Sequence, residues 1–181
     1  DKCSAARDRM LDTGDLIEAI NMTTIQSLQI RHSSSQNANL HDKIFVGLEN
    51  FTTLMIQSTP GLSTVDPKAF QGLGNLQLLV IRENGISELH KDVFSSLVNL
   101  KSLEISENLK EMDDDIFANL TELKYLGFRT SQLKKLPSFA SLKKLERLDF
   151  YDSSPMDIDV NQFAPLESLK NISIKGNLLL E

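Results

Sequence analysis

The sequence predicts an α/β solenoid of stacked short units, whose strands form one parallel β-sheet and whose turns or short helical segments make up the return path. Three observations predict it. A frame of five apolar anchors returns six times, at intervals of roughly 22–25 residues. Its last two anchors alternate with period two, as a strand with one buried face requires. Its earlier anchors step by three, which suits a tight turn packing one side inward. One such unit cannot bury its own apolar face, whereas stacked units share a continuous core and pair their strands.

The units follow in order. An opening half-unit supplies Ile25, Leu28 and Ile30. Full frames are Phe45, Leu48, Phe51, Leu54, Ile56; then Phe70, Leu73, Leu76, Leu79, Ile81; then Phe94, Leu97, Leu100, Leu103, Ile105. Three more run Phe117, Leu120, Leu123, Leu126, Phe128; Phe139, Leu142, Leu145, Leu148, Phe150; and Phe163, Leu166, Leu169, Ile172, Ile174. Each strand is followed by a polar residue. Where it is Asn84, Asn108 or Asn177, an inward amide can bond backbone groups that the bend leaves unpaired. Ser33, Thr59, Ser131 and Ser153 stand there in other units and reach less far. Leu62, Val65, Leu89, Met112, Leu133, Leu136 and Ile158 extend the core along the return path. An all-helical chain would not restore one frame six times, and a doubly wound fold needs longer helices and strands.

The stretch Leu76, Leu79, Ile81, Asn84, Ile86, Leu89, Phe94, Leu97 resembles the typical class of leucine-rich repeats, written Leu-x-x-Leu-x-Leu-x-x-Asn-x-Leu with a Phe-x-x-Leu close. Toll-like receptor ectodomains and small leucine-rich proteoglycans are built from that class. The resemblance covers about residues 25–180 and implies a leucine-rich-repeat horseshoe, with the parallel β-sheet on its concave face and turns or short helical segments on its convex face, mostly extracellular and mostly ligand-binding. Residues 1–24 are expected to form an N-terminal capping segment, and 25–181 the repeats. Members of the class usually carry cysteine clusters at both ends, and this chain has only Cys3. Leu178, Leu179 and Leu180 have no following unit to cover them. The sequence therefore reads as a fragment of a longer receptor-like chain, a protein capped in another way, or one with an end covered by a partner. A dimer or end-on association fits the last of these.

Composition narrows the function. With 181 residues, 40% hydrophobic and 24% charged, the chain suits one domain with a sizeable core. It has no Trp, so the core is aliphatic with Phe at selected places. A net charge of -6 argues against nucleic acid held on a basic surface. No apolar run reaches the roughly 18–20 residues of a membrane span. A lone cysteine favours an intracellular setting, because no internal disulfide can form. Acceptor triplets for N-glycosylation at Asn21, Asn50, Asn119 and Asn171 favour an extracellular one. Together with the repeat class they lead to a secreted or cell-surface ectodomain, with a cytoplasmic scaffold and a structural matrix protein as alternatives.

The expected function is binding of a protein ligand or co-receptor on the concave face. Outward strand positions form columns, and both tyrosines of the chain, Tyr125 and Tyr151, fall among them. Around them stand Arg82, Glu83, Glu104, Glu107, Arg129, Arg147, Asp149 and Asp152. Tyr and Arg are the residues that most often anchor interfaces. Opposite charges on neighbouring strands also stabilise each other, which is the competing explanation of the same columns. Met55, Leu78 and Val80 make a small apolar spot beside them. Lys134, Lys135, Lys143 and Lys144 read as a solvated basic surface, with a sulfated glycan as a lesser candidate. Asp113, Asp114 and Asp115 lack the spaced oxygens and turn Gly of a calcium loop. His32, His41, His90 and Cys3 sit in no nucleophile or metal pattern, and no phosphate-binding Gly-rich loop occurs. Neither enzyme activity, a metal nor a cofactor is expected.

Overall fold

The computed structural model describes residues 26–31, 38–130, 132–152, 156–176 and 178–179. Strands are numbered in chain order: β1 (Ser27–Arg31), β2 (Ala38–Leu40), β3 (Thr53–Gln57), β4 (Leu62–Val65), β5 (Leu78–Arg82), β6 (Glu88–Leu89), β7 (Ser102–Ser106), β8 (Glu111–Met112), β9 (Tyr125–Thr130), β10 (Arg147–Asp152), β11 (Met156–Asp157), β12 (Asn171–Lys175) and β13 (Leu178–Leu179). Seven of them form one parallel sheet in the order β1-β3-β5-β7-β9-β10-β12. Each strand lies beside the one from the previous turn. The fold is thus the solenoid that the recurring frame demands.

Register follows from the frame without slippage. Leu54 pairs with Leu79, Leu79 with Leu103, Leu103 with Leu126, Leu126 with Leu148, and Leu148 with Ile172. A one-residue slip would turn every buried side chain outward. The join is reinforced just upstream of each strand, where one carbonyl accepts two successive N–H groups of the next turn. Gln77 C=O, for example, accepts from Lys101 N–H and Ser102 N–H, both at 2.9 Å. Lys101 C=O then accepts from Lys124 N–H (2.8 Å) and Tyr125 N–H (3.0 Å).

The three-residue steps become consecutive turns. Leu97 N–H donates to Phe94 C=O and Leu100 N–H to Leu97 C=O, each at 3.0 Å. Among the described residues the only helix is a single 3-10 turn, Val160–Phe163. Short parallel pairs run along the return path: β2 with β4, β6 with β8, and β11 with β13. Periodicity did not signal them, because two to four residues carry no usable period. The anchors from Phe45 to Phe150 are buried, and Leu62, Val65, Leu89, Leu133, Leu136 and Ile158 join them as expected, with Met112 half-buried; in the first and last units Leu28, Ile30, Phe163, Leu169 and Ile174 are half-buried and Ile172 is exposed.

The Phe anchors stack from turn to turn. Phe45 and Phe70 lie 5.9 Å apart between ring centres, Phe70 and Phe94 6.2 Å, Phe117 and Phe139 6.3 Å, and Phe139 and Phe163 5.9 Å. Where the strand anchor is also aromatic, a second pair forms between Phe128 and Phe150 at 4.5 Å. Successive turns also meet closely at Gly85. A Cβ there would fall 2.7 Å from Pro60 C=O and 3.1 Å from Leu62 C=O, so only Gly permits the approach.

The expected cap at 1–24, with Cys3 and Asn21, lies outside the described residues. So do Ile25, His32, Ser33, Ser131, Ser153, Asn177 and Leu180, together with the side chains of Leu178 and Leu179. Among the described residues, no helix is long and apolar enough to cross a membrane.

Candidate functional site

The sheet face presents three columns. Arg82, Ser106, Arg129, Tyr151 and Lys175 follow one another across β5, β7, β9, β10 and β12. Beside them run Val80, Glu104, Gly127, Asp149 and Ser173, and then Leu78, Ser102, Tyr125, Arg147 and Asn171. The register of these three columns is the one that the period predicts. The apolar spot is smaller than its sequence suggests: Val80 is buried, while Met55 and Leu78 are half-buried.

Five of the candidate residues lock together. The Arg82 guanidinium meets Glu104 Oε1 at 2.5 Å. Asp149 is buried and accepts from Arg147 Nε (2.9 Å) and Nη2 (2.8 Å). The Arg147 guanidinium also lies 5.9 Å from the Tyr125 ring centre. Tyr125 is half-buried, and its hydroxyl is hydrogen-bonded to Asp149. Burial, with the Asp149 and Glu104 charges next to it, pushes the Tyr125 hydroxyl up to about 12. The hydrogen bond to Glu104 outweighs burial and holds the Arg82 guanidinium above its ordinary value. Arg82 Nε is buried without a partner in the described structure.

Glu107 departs from its expected place. It is only 5% exposed and is no surface group. Its carboxylate turns inward, where Asn84 N–H donates to Oε1 at 3.0 Å and Asn84 Nδ2 donates at 2.7 Å. Asn84 in turn accepts from Thr59 N–H (3.0 Å) and donates to Ile56 C=O (3.2 Å). A polar ladder thus links three turns. Asn84 occupies the inward position read from its spacing, but Asn108 is exposed and Glu107 holds the ladder in its place. Burial raises the Glu107 carboxyl above its ordinary value, and the Asn84 bonds offset part of that rise.

A cleft of about 560 Å³ runs along the edge where the strands end. Glu83 lies toward one end; Arg129, Tyr151 and Lys175 line the other. Glu83 follows β5 with a left-handed backbone (φ 54°) and accepts from Ser58 Oγ at 3.1 Å. Lys175 Nζ sits 5.7 Å from the Tyr151 ring centre. Lys175 was legible as a column member, though its place beside Tyr151 in a cleft was not. A smaller depression of about 360 Å³ adjoins it, bordered by Arg82, Glu104, Tyr125 and Gly127. Asp152 ends β10 opposite Thr130, and its side chain lies outside the described structure.

Other charged groups are tied across turns. Lys135 pairs with Asp114 (2.7 Å), Lys143 with Glu167 (2.6 Å) and Lys144 with Glu122 (2.6 Å). Asp113 accepts from Lys91 N–H at 2.7 Å. Three lysines of the basic cluster and two of the three aspartates are therefore knitted into neighbouring units. Among the described residues, no group of three or more His, Cys, Asp or Glu is gathered to hold a metal. Asn50, Asn119 and Asn171 are exposed. A second set of amides escaped the sequence reading. Asn75 Nδ2 donates to Glu49 C=O and Asn99 Nδ2 to Gly74 C=O, each one turn back. Their shared offset from the strand was the available signal.

Comparison with known proteins bears on this geometry. The profile described as Leucine rich repeat matches residues 23–86, 49–109 and 75–133. The chain belongs to the leucine-rich-repeat family. Human Toll-like receptor 5 is 29% identical over 143 residues, 75% of this chain and 17% of the receptor. Lumican from Gallus gallus is 27% identical over 175 residues, 92% of this chain and 50% of lumican. The chain thus spans half or less of the length of these leucine-rich-repeat relatives. Among solved structures, the Toll–Spatzle complex of Drosophila aligns with a TM-score of 0.59 over 86% of this chain and 27% of that one, at 17% identity. That likeness concerns the fold.

Proposed function

We propose that this leucine-rich-repeat chain is a non-enzymatic recognition module of an extracellular protein, and that it binds a protein ligand or co-receptor on its sheet face. One observation carries the reading: two tyrosines and several arginines are aligned on a single regular face with an adjoining cleft. Flat sheets of small polar residues offer no such anchors, whereas half-buried Tyr and Arg supply area at low conformational cost. The Toll–Spatzle neighbour is a protein complex, and the relatives include a Toll-like receptor and lumican, which supports the receptor-like or secreted reading. Exposed acceptor triplets at Asn50, Asn119 and Asn171 support the extracellular setting, and Asn21 is assigned the same role. In the same reading residues 1–24 cap the repeats that fill 25–181.

A glycan wedge tests it. Arg129→Asn completes an acceptor triplet with Thr130 and Ser131 in the middle of the face. Chain secreted from eukaryotic cells should run faster after deglycosylation. It should capture a cross-linkable protein from extracellular fluid, and the wedge should abolish that capture. Asn119→Gln, which only removes a native acceptor, should leave capture unchanged. Capture that survives the wedge would overturn the sheet-face reading.

A further inference from the structure

The charges of the sheet face are not equally available. Arg82 is engaged by Glu104, and Arg147 by Asp149, so that part of the face is neutral within itself. Arg129 and Lys175 differ. Both are exposed, and among the described residues neither is within ion-pair distance of a carboxylate. They flank Tyr151 on consecutive strands, two strand spacings or roughly 10 Å apart. All three line the same cleft.

The acceptor asparagines point the same way. Asn50 lies just before β3 and Asn171 opens β12, while Asn119 lies in the turns before β9, so none of the three stands at the strand ends. The cleft lies where the strands end. Lys175 is four residues beyond Asn171, about 13 Å along the strand. Glycans at these positions would leave the downstream edge open.

We propose that the cleft along the strand ends receives an acidic segment of a protein ligand, its carboxylates against Arg129 and Lys175 and its carbon chain against Tyr151. This deepens the sheet-face reading above and rests on it. Glu83, at the far end, repels like charge and sets the direction: the carboxylates belong at the β9–β12 end. Exposed cations attract such a ligand at a distance, so association weakens as salt rises.

The test is fluorescence anisotropy of the folded chain. One labelled peptide carries three consecutive glutamates between Gly-Ser flanks, and its counterpart carries three glutamines. The glutamate peptide should bind at least about tenfold more tightly at low salt. The double variant Arg129→Gln with Lys175→Gln should erase that preference, while Lys135→Gln with Lys143→Gln should keep it. Equal binding of the two peptides, or a preference that survives the cleft variant, overturns the proposal. So does a heparin oligosaccharide that binds through Arg129 and Lys175 while the glutamate peptide does not, since the cleft then serves a sulfated glycan. If the wedge at position 129 blocks ligand capture while the peptide results fail, the sheet-face reading stands and only the acidic-segment assignment falls. If the wedge does not block capture, the reading itself falls.

Discussion

Tyr125 lies across Gly127, two residues along the same strand, so closely that a Cβ on Gly127 would stand 2.5 Å from the Tyr125 hydroxyl and 3.0 Å from its Cζ. The missing side chain is what lets the ring lie flat along β9 and reach Asp149. Gly127→Ala should therefore expel the ring and cost about 1–2 kcal/mol in denaturant unfolding. Combined with Tyr125→Ala, which removes the obstruction, it should cost distinctly less than the sum of the two single changes.

The same packing fixes the tyrosine's titration. The chain has two tyrosines, so Tyr151→Phe leaves Tyr125 as the only phenol. Its ionisation, followed by ultraviolet absorbance, should centre near 12 in the folded protein against 10.0 for an unperturbed tyrosine. A phenol whose value is raised on folding stabilises the fold fully below 10.0 and loses that contribution as pH climbs toward 12. A midpoint near 10 in folded protein would contradict the burial and the Asp149 bond.

Glu107→Ala should destabilise the chain by about 2 kcal/mol, because Asn84 N–H and its amide lose their buried acceptor. The sign of its pH dependence follows from the raised carboxyl. Glu107 contributes most below its unfolded value of 4.5 and less as pH rises through its higher folded value. The variant's deficit should thus be larger in acid than at neutral pH, measured as the difference in urea midpoints at matched slopes.

The stacked phenylalanines should not be equivalent. Phe70 is fully buried between Phe45 and Phe94, and Phe70→Ala should cost about 3–5 kcal/mol. Phe163 is half-buried and stacks on Phe139 alone among the described rings, so Phe163→Ala should cost distinctly less. Thermal melts of the two variants would expose the asymmetry.

The sheet and its register were legible because two periods agree: the strand's alternation and the interval between units. That agreement placed Arg82, Arg129 and Tyr151 in one column before any coordinates. What the periods do not encode is the behaviour of two adjacent polar residues. Glu107 and Asn108 are equally polar in sequence, yet the acid turns inward because Asn84 offers it buried donors one turn back. Likewise the sequence left Arg82 and Arg147 open to either reading, ligand anchor or partner in an ion pair, and the side-chain geometry shows Glu104 and Asp149 holding them. Local pattern fixes where a residue stands; its partners, one turn away for Arg82 and Glu107 and two residues along the strand for Arg147, decide what remains available to a ligand.

The unslipped register from β1 to β12 makes each column a ruler with a mark at about every 4.8 Å. A ligand crossing the strands must keep time with those marks. Same-side groups of an extended peptide recur at about 6.7 Å and drift by half their spacing within two strands. Same-face groups of an α-helix recur on average once per turn, about 5.4 Å, and fall half a mark behind only after about four strands. A long partner reading many units at once is thereby steered toward helical presentation, and an extended one toward a short contact confined to neighbouring turns.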